Sequence, residues 1–446
     1  MQMTQLQKLM KECGIVGAGG AGFPSYAKLS DKADTVILNC AECEPLFRLH
    51  RQLMSEYAEE ILTMLDTVRA AVGAKRAIVA IKSVYTDAIE KIDEHISSFE
   101  KVEIAHLPEV YPAGDEIILI YEATGRVVKP GQLPISEGVI VYNVETMLNT
   151  YFAMTENTPV CYKFVTVAGE VNEPGTYRVP IGVPLKALVE LAGGERSQEC
   201  KYLSGGAMMG ALAKKNDIVT KTTNAVLVLP KNHPVIMKKK TSTKINIYRA
   251  MSACCQCRMC TDMCTRNLLG HPIEPHSFMR AATKGMTSDL TAMLNAAYCS
   301  QCRVCEMYAC QQGLSPASLI GVFRNKLREN GVVPEKEPKF TDVNEHRKYR
   351  TIPMERLISR LGVSEYDVEA PIKEIPKDFA KQCKTLKIML RQHIGQPAKP
   401  IVKKGDEVEK YQKLASCEGL GAEIHTPCKG VVKDIKENYI VVEVKD

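Results

Sequence analysis

Two cysteine runs, "CCQCRMCTDMC" at 254–264 and "CSQCRVCEMYAC" at 299–310, constrain this chain more than any other feature. Nine of its 17 cysteines fall between Cys254 and Cys310. No stretch reaches the ~18 apolar residues of a membrane span, and the N-terminus lacks a basic-apolar-small signal pattern, so the expected setting is soluble and cytoplasmic. A reducing compartment does not support a disulfide framework, so cysteines clustered in this way point to metal. The 446 residues predict about three domains. A net charge of +6 is mild, with Lys238, Lys239 and Lys240 the one basic run. That run reads as a solvated linker, and nucleic acid is not the expected partner.

The spacings are Cys254-x2-Cys257-x2-Cys260-x3-Cys264 and Cys299-x2-Cys302-x2-Cys305-x4-Cys310. In such runs three close thiolates hold one face of a 4Fe-4S cubane while the fourth crosses to the other cluster. The rule assigns Cys254, Cys257, Cys260 and Cys310 to cluster one, and Cys299, Cys302, Cys305 and Cys264 to cluster two. Cys255 is left as a free thiol. Thr265 and Gln311 replace the proline usual after the last cysteine, the second run has an extra residue, and the intervening 271–298 reads as helices. Structural zinc is the competing reading, which two groups of four with repeated x2 spacing fit poorly. Clusters with no open iron carry single electrons, so a nicotinamide donor requires a flavin between hydride and cluster.

The N-terminal third contains Gly17-x-Gly19-x-x-Gly22, a dinucleotide-loop spacing, with Glu42 and Glu44 about 20 residues on. No strand leads into it, because Leu6, Leu9, Met10 and Cys13 recur at helical spacing. A Rossmann loop is therefore not expected. "GAGGAGFPSYAK", "NCAECEP" and "YPAGDE" followed by "VYNVET" resemble, in order over 14–154, the FMN and NADH motifs of the flavin subunit of respiratory complex I and of RnfC. The resemblance implies that Gly17, Gly19, Gly20 and Gly22 line the nucleotide and that Phe23 stacks on the nicotinamide or adenine. It implies that Lys28 neutralises the FMN phosphate and that Asn39, Glu42 and Glu44 sit near the isoalloxazine and NADH. Gly114, Asp115, Glu116, Asn143 and Thr146 complete the pocket, with Glu44 and Glu116 in catalytic roles. Ala18 stands where complex I has arginine, and Ala41 where it has aspartate.

Residues 165–194 alternate as strands around Pro174 and Gly175, then form a short helix, resembling the SLBB β-grasp domain. The tail from His393 shows short strands and a Gly-Asp-x-Val turn like a barrel-sandwich hybrid. Its hairpin tip "CEGLGAEI" has no lysine, which argues against a lipoyl or biotinyl carrier. The expected fold class is α/β multidomain, with a Rossmann-like FMN/NADH domain of the complex I flavin-subunit type at 1–158 and an SLBB domain at 159–237. A helical two-cluster ferredoxin-like domain at 238–332, a connector at 333–384 and a barrel-sandwich hybrid at 385–446 follow.

RnfC carries the barrel-sandwich unit first, whereas here it comes last. That permuted order resembles the PduS-type cobalamin reductases of bacterial microcompartments. The resemblance implies an NADH-dependent oxidoreductase using FMN and two 4Fe-4S clusters, with cobalamin or a cobalamin-handling protein as acceptor and a shell protein as possible neighbour. No Asp-x-His-x-x-Gly corrinoid signature is present. Alternatives are an RnfC-like subunit exchanging electrons between NAD and membrane or ferredoxin partners, and a compartment-bound relay to a protein acceptor. For the relay, "MQMTQLQKLMKEC" serves as a docking helix; otherwise it is the first helix packing on the flavin domain.

Overall fold

A computed structural model describes residues 1–285, 290–335 and 338–445. The N-terminal domain is built on four parallel strands, β1 (Thr35–Asn39), β2 (Arg76–Lys82), β3 (Val102–Leu107) and β5 (Val139–Asn143), ordered β3-β2-β1-β5; β4 (Val110–Tyr111) lies outside this sheet. "TVIL" and "AIVAIK" are buried throughout, as strands covered on both faces must be. Val36 and Leu38 enter one core, while Ile37 enters the opposite one with Ile78, Leu119 and Val141. The covering helices are α1 (Met3–Glu12), α2 (Leu49–Glu56), α3 (Ala58–Val72), α4 (Thr86–Ile96), α5 (Glu116–Thr124) and α6 (Val144–Glu156).

No strand enters the glycine loop. Helix α1 ends at Cys13, Gly14 turns the chain at φ +66°, and a Val16–Pro24 bridge closes the loop on itself. Leu6 and Met10 are fully buried and contribute to the main core. The apolar face of this helix is therefore packed on the N-terminal domain, as the packing reading expects.

The second sheet contains β6 (Tyr162–Gly169), β7 (Gly175–Pro180), β8 (Cys200–Ser204), β9 (Ala211–Ala213) and β10 (Ala225–Pro230), with helix α7 (Leu185–Leu191) packed into its core. Strands β6 and β7 pair antiparallel, and β10 joins β6 in parallel. The connector 333–384 is stitched down rather than free. It supplies β11 (Ile352–Pro353), antiparallel to β4, and β12 (Ile372–Lys373), which extends the second sheet beside β7. Arg48 of the first domain pairs with Asp367 at 3.1 Å and with Glu369. Residues 336 and 337 of the connector lie outside the described residues, as do 286–289 between the cysteine runs and residue 446.

Seven short strands make the C-terminal unit: β13 (Thr385–Met389), β14 (Lys399–Pro400), β15 (Glu407–Val408), β16 (Lys413–Ser416), β17 (Ile424–His425), β18 (Gly430–Ile435) and β19 (Tyr439–Val444). They form two sheets, β13-β19-β18-β15 and β14-β16-β17. Leu386, Ile388, Leu414 and Val442 share one apolar core with Val165, Val183 and Leu188 of the second domain. Gly182 permits that approach: a Cβ there would strike Ile388 Cδ1 and the Lys387 backbone.

Helix α8 (Pro234–Lys240) contains the basic run, and α9 (Thr243–Ala253) follows it toward the first cysteines. The solvated-linker expectation fails for two of the three lysines. Lys238 Nζ donates to the carbonyls of Glu306 (2.6 Å), Gly313 and Leu314 (both 3.2 Å), and Lys239 Nζ to those of Met208 (2.9 Å) and Gly210 (2.5 Å). Both ammonium groups are thus spent on backbone carbonyls far along the chain, as charge-assisted hydrogen bonds.

Leu6→Ala is expected to destabilise the N-terminal domain by about 2–5 kcal/mol, the cost of a cavity in a closed core. Deletion of 1–9 should likewise lower the thermal midpoint. An unaltered midpoint for both variants, measured by circular dichroism, contradicts this role of α1.

Candidate functional site

In the parallel sheet, the chain moves from β1 to β2 to β3 on one side and then crosses to β5 on the other. The strand order thus reverses between β1 and β5, a switch point beyond whose carboxyl ends open α/β sheets bind ligands. Asn39 and Asn143 are register partners at that edge. Each is followed by a motif singled out in the sequence: "CAECEP" after Asn39 and "VET" after Asn143.

The glycine loop folds over the Asn143 side. Ala18 N donates to Thr146 Oγ1 at 3.1 Å, and Gly17 N to the Phe23 carbonyl at 2.9 Å. A Cβ on Gly19 would run into the Asn143 carboxamide, so only glycine lets the backbone lie this close. Gly19 and Gly20 are exposed at the crest, Gly22 is buried at φ +74°, and Phe23 is half-buried. Lys28 Nζ reaches Glu116 Oε1 at 3.0 Å and the Val141 carbonyl at 2.8 Å.

On the Asn39 side, the "NCAECEP" and "YPAGDE" loops are locked together. Asn39 Nδ2 donates to the Gly114 carbonyl at 2.9 Å, Asn39 Oδ1 accepts from Ala41 N at 3.1 Å, and Gly114 N donates to Cys43 Sγ at 2.6 Å. Any side chain at Gly114 would overlap the Ala41 carbonyl. Burial pushes the Cys43 thiol up to about 12, keeping it neutral. Glu42 Oε2 accepts from His50 N at 3.0 Å. The carboxylate of Glu44 turns toward the second domain, accepting from Met208 N (3.0 Å) and Met209 N (2.5 Å). Burial raises its pKa against the lowering effect of those two donors.

Several residues that sequence reasoning passed over belong to this site. His50 Nε2 lies 2.8 Å from Asn143 Nδ2, while Asn143 Oδ1 accepts from Glu145 N. The amide orientation is thereby fixed and places the imidazole proton on Nδ1, a buried atom with no partner among the described residues. Asp115 caps α5 and grips Arg266 through both oxygens, at 2.8 and 3.0 Å, with both side chains largely buried. Arg266 is two residues past Cys264. Tyr111, fully enclosed, donates from its hydroxyl to the Cys302 carbonyl at 2.7 Å. Only the cysteine spacing hinted at this neighbourhood; the approach of 264–302 to 111–115 is tertiary.

The two cysteine runs share one local design, C-x-Q-C-R-x-C. Gln256, Arg258, Gln301 and Arg303 all adopt left-handed backbone, with φ between 55° and 67°. Alternation of these with ordinary residues curls each run into a cup. Gln256 Nε2 donates to Cys254 Sγ and Gln301 Nε2 to Cys299 Sγ, both at 3.2 Å. The extra residue of the second run is absorbed by a π-helical turn, Val304–Tyr308, closed by Ala309 N on the Val304 carbonyl at 2.9 Å.

Cys310 crosses to join Cys254, Cys257 and Cys260 around one pocket, with Cys255 also at its wall. Cys264 lies close enough to Cys299, Cys302 and Cys305 for mutual thiolate repulsion. Burial, followed by that repulsion, holds the Cys260 and Cys264 thiols up to about 12. Metal must therefore displace protons here, the ordinary coupling of ligation to pKa. Two quartets of thiols in cups match the donor chemistry of 4Fe-4S clusters. The open glycine crest over the Asn143 carboxamide suits a flavin nucleotide.

Four family models match in sequence order. They are the Nuo51 FMN-binding domain (10–151), the SLBB domain (164–212), a 4Fe-4S dicluster domain (253–315) and the RnfC barrel sandwich hybrid domain (362–445). The four expected kinds of domain are thus present. Cobalamin reductase PduS of Citrobacter freundii is 39% identical over 98% of this chain and 96% of that protein. The PduS of Salmonella typhimurium is 38% identical over 99% of this chain and 97% of its own. A component of the Na(+)-translocating ferredoxin:NAD(+) oxidoreductase complex of Acetobacterium woodii is 34% identical over 60% of this chain and 59% of its own length.

Gly19→Ala should cut FMN retention at least about tenfold, since the added methyl displaces Asn143 and with it the His50 contact. Fluorescence of flavin released from the purified variant reads this directly, and wild-type flavin content in Gly19→Ala contradicts it.

Proposed function

The chain belongs to the family of the cobalamin reductase PduS, and from that premise we propose that it oxidises NADH and delivers the electrons, through FMN and two 4Fe-4S clusters, to a corrinoid. One observation carries the order of the route: the buried Asp115–Arg266 and Tyr111–Cys302 contacts join the flavin-site loop to the loops of cluster two. FMN, when bound, would supply the conversion of a two-electron hydride into single electrons, and the eight cysteines would hold the clusters that take them onward.

The chain's own residues do the positioning. Gly17, Gly19, Gly20 and Gly22 present backbone to the nucleotide, with Phe23 beside it. Lys28, paired with Glu116, supplies positive charge at the phosphate side. Asn143 and Thr146 hold the glycine loop in place, and His50 Nε2 accepts from Asn143 Nδ2 and so fixes that carboxamide. Glu42 fixes the start of α2, and Asn39 and Gly114 fix the facing loop. Glu44 and Asp115, whose oxygens are engaged by the protein itself, act as positioning residues rather than in direct contact with substrate. Cys299, Cys302, Cys305 and Cys264 hold the near cluster, and Cys254, Cys257, Cys260 and Cys310 the far one. The connector straps the first two domains through β11 and β12.

No helix among the described residues is long and apolar enough to cross a membrane. Kinship with PduS supports residence in a bacterial microcompartment, with the corrinoid or a corrinoid-handling protein as the partner there.

Anaerobically purified protein should contain FMN and about eight irons per chain. It should reduce hydroxocobalamin with NADH well above the rate of free FMN. A rate equal to that of free FMN sinks the corrinoid assignment. Tyr111→Phe should keep iron and flavin content while slowing the appearance of reduced-cluster EPR signal after NADH; an unchanged rate removes Tyr111 from the route.

A further inference from the structure

The far quartet opens at the surface, where Cys255 and Cys257 are exposed. Its pocket is lined by Arg258 and His276 but by no carboxylate. Helix α9 runs into Cys254 and turns Asn246, Ile247 and Ala250 inward, the last two onto a small core that includes Phe278, Leu319 and Ile320. Its outward face carries Ile245 (52% exposed), Tyr248 (58%) and Met251 (58%). Single exposed apolar residues are ordinary, but three at every third position on one helix that ends at a thiol quartet form a strip. The strip runs for about 9 Å along the helix, more than the edge of a small molecule needs.

The charge along the helix has one sign. Lys240, Lys244 and Arg249 are exposed, and no Asp or Glu occurs from Lys238 through Thr261; Arg258, at the pocket mouth, pairs with Asp262 at 3.7 Å. Lys244 Nζ sits 5.9 Å from the Tyr248 ring centroid, so charge and apolar surface interleave. Apolar centres with charged rims are the anatomy of transient protein docking, and the rim sets the sign of the partner.

We propose that α9 and the mouth of the far-quartet pocket form the electron-exit dock for a small acidic protein that carries one electron. This rests on the reading that electrons leave by the far cluster. Each NADH supplies two electrons, which pass one at a time to two oxidised partner molecules and leave NAD+ and a proton, with no covalent bond to the partner formed or broken.

The probe is rubredoxin, small, acidic and one-electron. Its zinc-substituted, redox-silent form, titrated calorimetrically into the full-length holoprotein, should bind. Affinity should fall about tenfold in Lys244→Glu and in Tyr248→Ser, and comparably in high salt. With iron rubredoxin as acceptor, the KM should rise by the same factor while NADH-dependent ferricyanide reduction is unchanged. Absence of zinc-rubredoxin binding, equal affinity in wild type and both variants, or tighter binding of basic cytochrome c overturns the dock. Loss of ferricyanide reduction in the wild type would instead indict the NADH-flavin reading, because zinc-rubredoxin binding requires no turnover.

Discussion

Asp115 performs two tasks at one place. It caps α5, fixing the "YPAGDE" loop at the switch point of the parallel sheet, and it holds Arg266 by both oxygens. Breaking a buried pair of this kind leaves an uncompensated charge, so the flavin-side loop and the cluster loops are held in one relative position. Tyr111, bonded to the Cys302 carbonyl, ties the same stretch to the second cysteine run.

A second layer of buried charge surrounds that junction. Glu44 reaches across to Met208 and Met209, and Lys239 returns from α8 to the carbonyls of the same turn. Burial lowers Lys239 to about 8 and raises Glu44, and each is partly restored by the other's charge. Glu145 and Lys163 form a comparable fully buried pair between α6 and β6. Interfaces between these domains are therefore written in paired charges as well as apolar contact, which penalises any sliding that would separate the partners.

The modular plan was legible because its signals are local. Thiol spacing, glycine spacing and the alternation around Pro174 each specify a turn or cup within a dozen or so residues. The π turn was half legible: the additional residue in the second run was visible, but not the backbone that would absorb it. Arg266, Tyr111 and His50 were invisible, since an arginine after a cysteine or a histidine in a helix acquires meaning only from what lies opposite. The lysine run misled for the same reason. Three consecutive lysines read as solvent-facing until two of them find carbonyls distant in sequence, Lys238 around the second cysteine run and Lys239 in the second domain. The connector, rich in proline and charge, gave no sign that Ile352 and Ile372 would each add a strand elsewhere.

The apolar core shared by the second domain and the C-terminal unit has a meaning beyond stability. Leu386 and Ile388 are held by Val183 and its neighbours through side-chain packing, and the covalent tether to the unit plays no part in that contact. A module secured in this way can be spliced before or after its neighbours without disturbing the assembled surface. The homologous barrel-sandwich unit of RnfC, at the opposite end of its chain, is what such freedom permits: evolution can rewire the order of a polypeptide while the three-dimensional circuit stays the same.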